Sequence, residues 1–230
     1  MTEIRILCGI EGAEQAEGTA VIIDVFRAFT LEAYLYAAHA KDIYAVASVE
    51  EALDWKQRDP SVLLCGERDG KICPGFDFGN SPGSIAGKDF SGKTIIHTTT
   101  NGVQGIASAG AASEVLTGSL VNAQATADYI RKQNPELVSL VCMGWKGRQT
   151  EEDQLCADYL KALIEGKAFP ELEARALALK EQEGKKFFDP AQQDVFPEAD
   201  FWMCIRHDLF SFVIRAEKEG TCYHNRKLEV

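Results

Sequence analysis

Short apolar runs alternate with segments of helical periodicity through the first two-thirds of this chain, and that alternation limits what it can fold into. Runs such as AVIID and LVSLVC are apolar on both faces, so both faces of such a strand must be covered. The spacing predicts strands over Ile4–Cys8, Thr19–Asp24, Ile43–Val46, Val62–Cys65, Thr94–Thr98, Glu114–Thr117 and Leu137–Cys142. Helices are expected over Leu31–Ala40, Val49–Arg58, Val103–Ala111, Ala123–Gln133 and Glu151–Glu165. This order predicts a three-layer α/β/α fold around a largely parallel or mixed sheet. Beyond Gly166 the pattern changes. An amphipathic helix is expected over Glu171–Gly184, an irregular stretch or a further short helix over Phe187–Phe201, and a hairpin from Ser211 to Lys227 around Glu219-Gly220. The expectation is one domain, with residues 1–166 as core and 167–230 as a helical C-terminal elaboration.

A net charge of −11 argues against nucleic acid or an anionic membrane surface as partner, since both require a basic face. No apolar run approaches the roughly 20 residues that span a bilayer, and the N-terminus lacks the pattern of a signal peptide. Seven cysteines with no CxxC pair suggest reduced thiols in the cytoplasm, with Cys65, Cys142 and Cys156 as small buried residues. GxGxxG, Walker A, GxSxG and HExxH patterns are absent, so dinucleotide, P-loop, α/β-hydrolase and zincin chemistries lose their usual signals.

The polar residues cluster where strands end. Asp24 closes one strand and Arg27 follows it. Gly66–Pro82 (GERDGKICPGFDFGNSP) follows another and, rich in Gly and Pro, reads as an ordered loop. Thr98–Gly102 (TTTNG) and the Gly144–Asp153 stretch, with Lys146, Arg148, Glu151, Glu152 and Asp153, follow two more. In open α/β sheets ligands bind outside the carboxyl ends of strands. Several of these residues also have structural readings. Thr100 or Asn101 suits an N-cap, Thr150–Asp153 a capping box, His97 a core histidine, and Trp145 either a crevice wall or core.

Taken together, VIIDVFRA (Val21–Ala28), GER (Gly66–Arg68), GFDFGNSP (Gly75–Pro82), TTTNG (Thr98–Gly102), GSLVN (Gly118–Asn122) and Glu152-Asp153 followed by Cys156 resemble the 2-phosphosulfolactate phosphatase family of coenzyme M biosynthesis. The likeness runs over roughly residues 20–165 and departs at Phe29, where the family usually has a small hydroxyl residue; beyond Gly166 it is poor. It implies a Mg²⁺-dependent phosphatase that converts 2-phospho-3-sulfolactate to 3-sulfolactate, and self-association, as a dimer.

On this combined reading the substrate is a small anionic phosphoester. Asp24, Glu67 and Asp153 are expected to hold Mg²⁺, with Asp24 as covalent nucleophile the alternative within the same scheme. Arg27 and Arg68 are expected to stabilise the phosphoryl oxygens. Thr99, Thr100, Asn101 and Gly102 would cradle phosphate, Asn80 and Ser81 the acid end of the substrate, and Arg148 is a further binding candidate. A non-catalytic binding protein for a small phosphorylated or sulfonated acid would use the same crevice without turnover.

Overall fold

The computed structural model describes residues 2–230. Ten strands form a single mixed sheet: β1 (Glu3–Cys8), β2 (Thr19–Ile23), β3 (Asp42–Ala45), β4 (Leu63–Arg68), β5 (Lys71–Ile72), β6 (Thr94–Thr98), β7 (Glu114–Gly118), β8 (Leu137–Cys142), β9 (Phe212–Glu219) and β10 (Cys222–Glu229). The helices are α1 (Gly9–Glu14), α2 (Ala28–Ala37), α3 (Val49–Arg58), α4 (Pro82–Ile85), α5 (Gly102–Ser108), α6 (Ala123–Gln133), α7 (Glu151–Ile164), α8 (Leu172–Ala178) and α9 (Glu198–Cys204).

Strand β2 shows why the apolar runs fold as they do. All five of its residues are buried. With side chains alternating in direction, Val21 and Ile23 pack with α6 and α7, while Ala20 and Ile22 pack with α1, α2 and α5. Helices therefore cover both faces, and the expected α/β class is the observed one. Helix α2 is buried almost all round, carrying even Glu32 into the interior. A helix that is apolar on every side belongs inside a protein.

The strand order is β1-β8-β2-β7-β9-β10-β3-β6-β4-β5. Neighbours within β1-β8-β2-β7 and within β3-β6-β4 are parallel. Between the two blocks lies the C-terminal hairpin, antiparallel to β7 on one side and to β3 on the other. The expected hairpin is present, but it forms the middle of the sheet. The expected boundary at residue 166 is thus crossed by the sheet itself, and the last residues are structural core.

Three antiparallel pairings in succession make the two blocks run in opposite senses along the ladder. Sheet twist accumulates from strand to strand, and the carboxyl ends of both blocks still meet. Helix α5 follows β6 of one block yet lies against the other: a Cβ on Gly105 would fall 2.4 Å from Met143 Sδ and 2.8 Å from Ile22 Cγ2. Only a glycine allows that approach.

Some local expectations change. The GER segment is not loop: β4 continues through Gly66–Arg68, where a Cβ on Gly66 would lie 2.2 Å from the Thr98 carbonyl oxygen. Glycine lets β6 close on this strand. Helix α8 is shorter than Glu171–Gly184 and gives way to 3₁₀ turns that reach Gln192. All seven cysteines are free thiols, with Cys65, Cys142 and Cys156 buried. Among the described residues no helix is long and apolar enough to cross a membrane.

Candidate functional site

Loops at the carboxyl ends of β2, β4, β6 and β8 enclose one narrow crevice, and the 3₁₀ region closes it. Asp24, Phe26, Arg27, Glu67, Gly70, Asn80, Thr100, Asn101, Gly144, Trp145, Lys186 and Phe196 line it. Its volume is about 30 Å³, room for about two ordered waters. Arg27, Gly70 and Asn80 also border a wider cleft of about 470 Å³ on the far side.

Asp24 accepts a hydrogen bond from the Ala28 amide (3.1 Å) and lies at the start of α5, where a Cβ on Gly102 would come within 3.1 Å of its carboxylate. Burial pushes its carboxyl up to about 6; the Ala28 amide opposes that rise and the Glu67 charge adds to it. Glu67 ties two loops together, accepting from the Gly70 amide at 2.6 Å and the Thr100 amide at 2.9 Å. Two acids therefore share one enclosed space, against their mutual repulsion.

Two cations face them. Arg27 is 5 % exposed, donates to Asp200 (2.7 Å), the Val195 carbonyl (2.9 Å) and the Gly70 carbonyl (3.2 Å), and lies over the Phe196 ring. A guanidinium has five N–H donors, so two remain for a ligand. Lys186 lies among four aromatic rings, with Nζ 4.8 Å from the centre of Trp145, 5.2 Å from Phe196, 5.5 Å from Phe187 and 5.9 Å from Phe26. Burial lowers its pKa; Glu152 pulls it back up and the Arg27 charge lowers it further. Anionic groups entering here meet cations screened from bulk water, where charge–charge attraction is strongest.

Several expected residues are elsewhere. Asp153 is absent from the lining: its two carboxylate oxygens accept from the amides of Val25 (2.9 Å) and Gly144 (2.8 Å). It clamps the loops after β2 and β8 from beneath. Burial and the charges of Glu152 and Asp24 hold its carboxyl well above the usual range. That clamp also displaces the capping box, and the Thr150 hydroxyl makes no cap bond to α7.

Arg68 follows Glu67 on a strand and so points to the opposite face, where it donates to the Thr98 hydroxyl and the Glu67 carbonyl. Thr99 accepts from the Val103 amide, the bond expected of a cap at Thr100 or Asn101. Asn101 instead donates to the Gly144 carbonyl at 2.9 Å, joining the β6 and β8 loops. Gly102 lies behind Asp24 against Phe29, and Phe29 itself is 1 % exposed and outside the crevice. Arg148 closes an exposed turn with Trp145. Ser81 caps α4, donates to Asp200 and borders the wider cleft rather than the crevice.

Lys186, Phe196 and Asp200 were not anticipated. They stand after Gly166, Lys186 in a 3₁₀ turn, Phe196 in a bend and Asp200 on the short helix α9, with no motif to single them out. Trp145 proves to be a crevice wall. Glu152 is buried within reach of the Lys186 charge, and burial pushes its carboxyl up to about 7.

The donor set suits a small hard cation in part. Mg²⁺ usually takes one or two carboxylates, with waters and phosphate oxygens completing its shell. Asp24 and Glu67 supply two such carboxylates. A third does not join them: among the described residues no group of three or more metal-ligating side chains converges, and Asp153 lies outside the crevice lining.

A family model described as 2-phosphosulfolactate phosphatase matches residues 8–219, well past the stretch in which the motifs are recognisable by eye. The chain is 36 % identical over 212 residues to a protein of Caldicellulosiruptor saccharolyticus, covering 84 % of this chain and 87 % of that one. It is 32 % identical over 206 residues to a Bacillus subtilis protein, covering 87 % of each. A Carboxydothermus hydrogenoformans protein is 41 % identical over 163 residues, covering 70 % of this chain and 67 % of that one. All three carry the name "Probable 2-phosphosulfolactate phosphatase". The chain belongs to the 2-phosphosulfolactate phosphatase family, a family of phosphatase enzymes.

Proposed function

We propose that this protein is a Mg²⁺-dependent phosphomonoesterase that hydrolyses 2-phospho-3-sulfolactate to 3-sulfolactate and phosphate. The observation that carries this reading is the crevice itself, where Asp24 and Glu67 face Arg27 and Lys186. Asp24 and Glu67 would hold Mg²⁺, which when bound neutralises phosphate charge and lowers the pKa of a water.

The chain's own residues do the rest. Arg27 and Lys186 attract the phosphoryl oxygens and stabilise the charge spread over them as the ester bond loosens. Glu67 fixes the Thr100 amide and Asp153 fixes the Gly144 amide, so the loops bordering the phosphoryl group are set before substrate arrives. Phe26, Trp145 and Phe196 keep bulk water out. The acid end of the ester extends past Arg27 and Asn80 into the wider cleft, near Ser81 and Lys88.

The test is phosphate release from phosphosulfolactate, phospholactate and phosphoglycolate, with Mg²⁺ and with EDTA. Mg²⁺-dependent release that favours the sulfonate is expected. Release indifferent to EDTA would remove the metal from the proposal, and release from none of the three esters would remove the activity. Lys186→Met is expected to raise KM by roughly 10-fold or more, since hydrogen bonds to charged groups contribute about 1.5–3 kcal/mol. Its Tm should hold or rise, because a buried ammonium is costly to keep. An unchanged KM would take Lys186 out of the site. Dimerisation in the cytoplasm belongs to the same proposal, and light scattering on the pure protein tests the dimer.

A further inference from the structure

Glu32 sits at 0 % exposure on the apolar helix α2, a place where a carboxyl group persists only if its oxygens are satisfied. Asn225 Nδ2, from the central strand β10, donates to both of its oxygens at 2.9 and 3.0 Å. His97 Nδ1, from β6 and equally buried, lies 2.8 Å from Oε1. The other ring nitrogen, Nε2, is 2.9 Å from Asn80 Oδ1. An amide oxygen only accepts, so Nε2 carries a proton and donates it. That state is met in two ways, by a protonated Glu32 donating to Nδ1 or by an imidazolium donating from Nδ1 to the Glu32 carboxylate. Turning the Asn80 amide over would require the other tautomer, with Nε2 accepting and Nδ1 donating to Glu32, so the proton on Nε2 fixes which way the amide faces.

With Oδ1 committed to His97, Asn80 Nδ2 has no hydrogen-bond partner among the described residues. It is not sealed away either, since Asn80 lines the crevice. We propose that Glu32 and His97 are positioning residues that fix the Asn80 amide with its nitrogen turned into the crevice, which makes Asn80 a hydrogen-bond donor to a phosphoryl oxygen. The proposal rests on the phosphomonoesterase reading of this crevice and extends it with a neutral donor placed opposite the carboxylates. It also ties the site to the C-terminal hairpin through Asn225.

Asn80→Asp tests the amide directly. It keeps an oxygen to accept from His97 and places a second oxygen where the nitrogen stood. Calorimetric titration with inorganic phosphate in Mg²⁺ buffer should show affinity falling by roughly 10- to 100-fold, the effect of losing a hydrogen bond to a charged group. His97→Phe should lose about as much. His97→Gln, whose amide can still donate to Asn80, should lose less, a graded rescue that general destabilisation would not produce. In the wild-type protein, ¹⁵N NMR should find His97 Nε2 protonated.

Several results overturn the proposal: an unprotonated Nε2, phosphate binding by the Asn80→Asp variant as tight as that of the wild type, or wild-type protein that does not bind phosphate at all. Wild-type turnover of phosphosulfolactate with unchanged phosphate affinity in Asn80→Asp would sink this inference alone. Phosphate binding that is sensitive to Asn80→Asp, without turnover of any ester, would sink the proposed activity alone.

Discussion

Asp24→Asn is expected to stop phosphate release while making the metal-free protein more stable at about pH 8. The loss of turnover should be at least roughly 10²–10³-fold, the scale seen when one preorganised electrostatic partner is removed from a site. The gain in stability follows from proton linkage. The Asp24 carboxyl titrates near 6 in the folded protein against 3.8 for an unperturbed aspartate. Between those values the folded state binds more protons than the unfolded state, so stability falls as pH rises from about 4 to about 6, and the cost persists above that.

An asparagine never carries the charge and therefore escapes the cost. A shift of about two units corresponds to about 3 kcal/mol at full burial; with Asp24 partly open to the crevice, about 1–2 kcal/mol is the expected gain. Thermal melts in EDTA at pH 4 and pH 8 check it: the variant should exceed wild type only at the higher pH. Equal melting at both, or retained activity, would contradict the placement of Asp24 as a strained acid of the site.

The second large effect lies outside the crevice. Asp200 is fully buried and accepts from Arg27 (2.7 Å), the Ser81 hydroxyl (2.8 Å) and the Gly83 amide (2.8 Å). Removing one partner of a buried pair leaves an uncompensated charge and costs about 3–5 kcal/mol. Asp200→Ala should therefore lower Tm by roughly 10 °C in a chain of this size. It should also lower kcat/KM, because Arg27 loses the partner that aims it across the crevice. Asp200→Asn keeps acceptors for Ser81 and Gly83 and should lose less stability. If the alanine variant melts with wild type, Arg27 must find another partner, and its position in the crevice is not set by this pair.

What was legible in the chain follows from the range of the interactions involved. Strands β6 and β8 and helices α3 and α6 are read residue for residue, because their apolar periodicity is local. The four polar clusters were also legible, since each follows a strand. Their convergence was inferred from one sheet with a single carboxyl edge. It arises instead from two parallel blocks of opposite sense, joined by a hairpin more than a hundred residues distant in sequence from β3, the strand it pairs with. That joining is non-local, and no spacing rule reports it. Asp153 reads as a metal ligand in the sequence because composition identifies a carboxylate but not whether it opens onto the crevice. Lys186 was missed because a lysine acquires its meaning from the rings around it, and those come from four separate points in the chain.

The hairpin at the centre of the sheet bears on how the protein is made. Residues 212–229 are synthesised after β7 and β3, the strands of the two parallel blocks with which they pair. Until they leave the ribosome, β7 and β3 each present an open edge, the kind of surface that recruits other strands. Asn225, which satisfies Glu32, is missing as well. A nascent or truncated chain therefore has neither a finished sheet nor a finished polar network behind Asn80. Activity arises only once both hairpin strands are in place, and a stop ahead of Phe212 should yield an aggregation-prone product rather than a weakened enzyme.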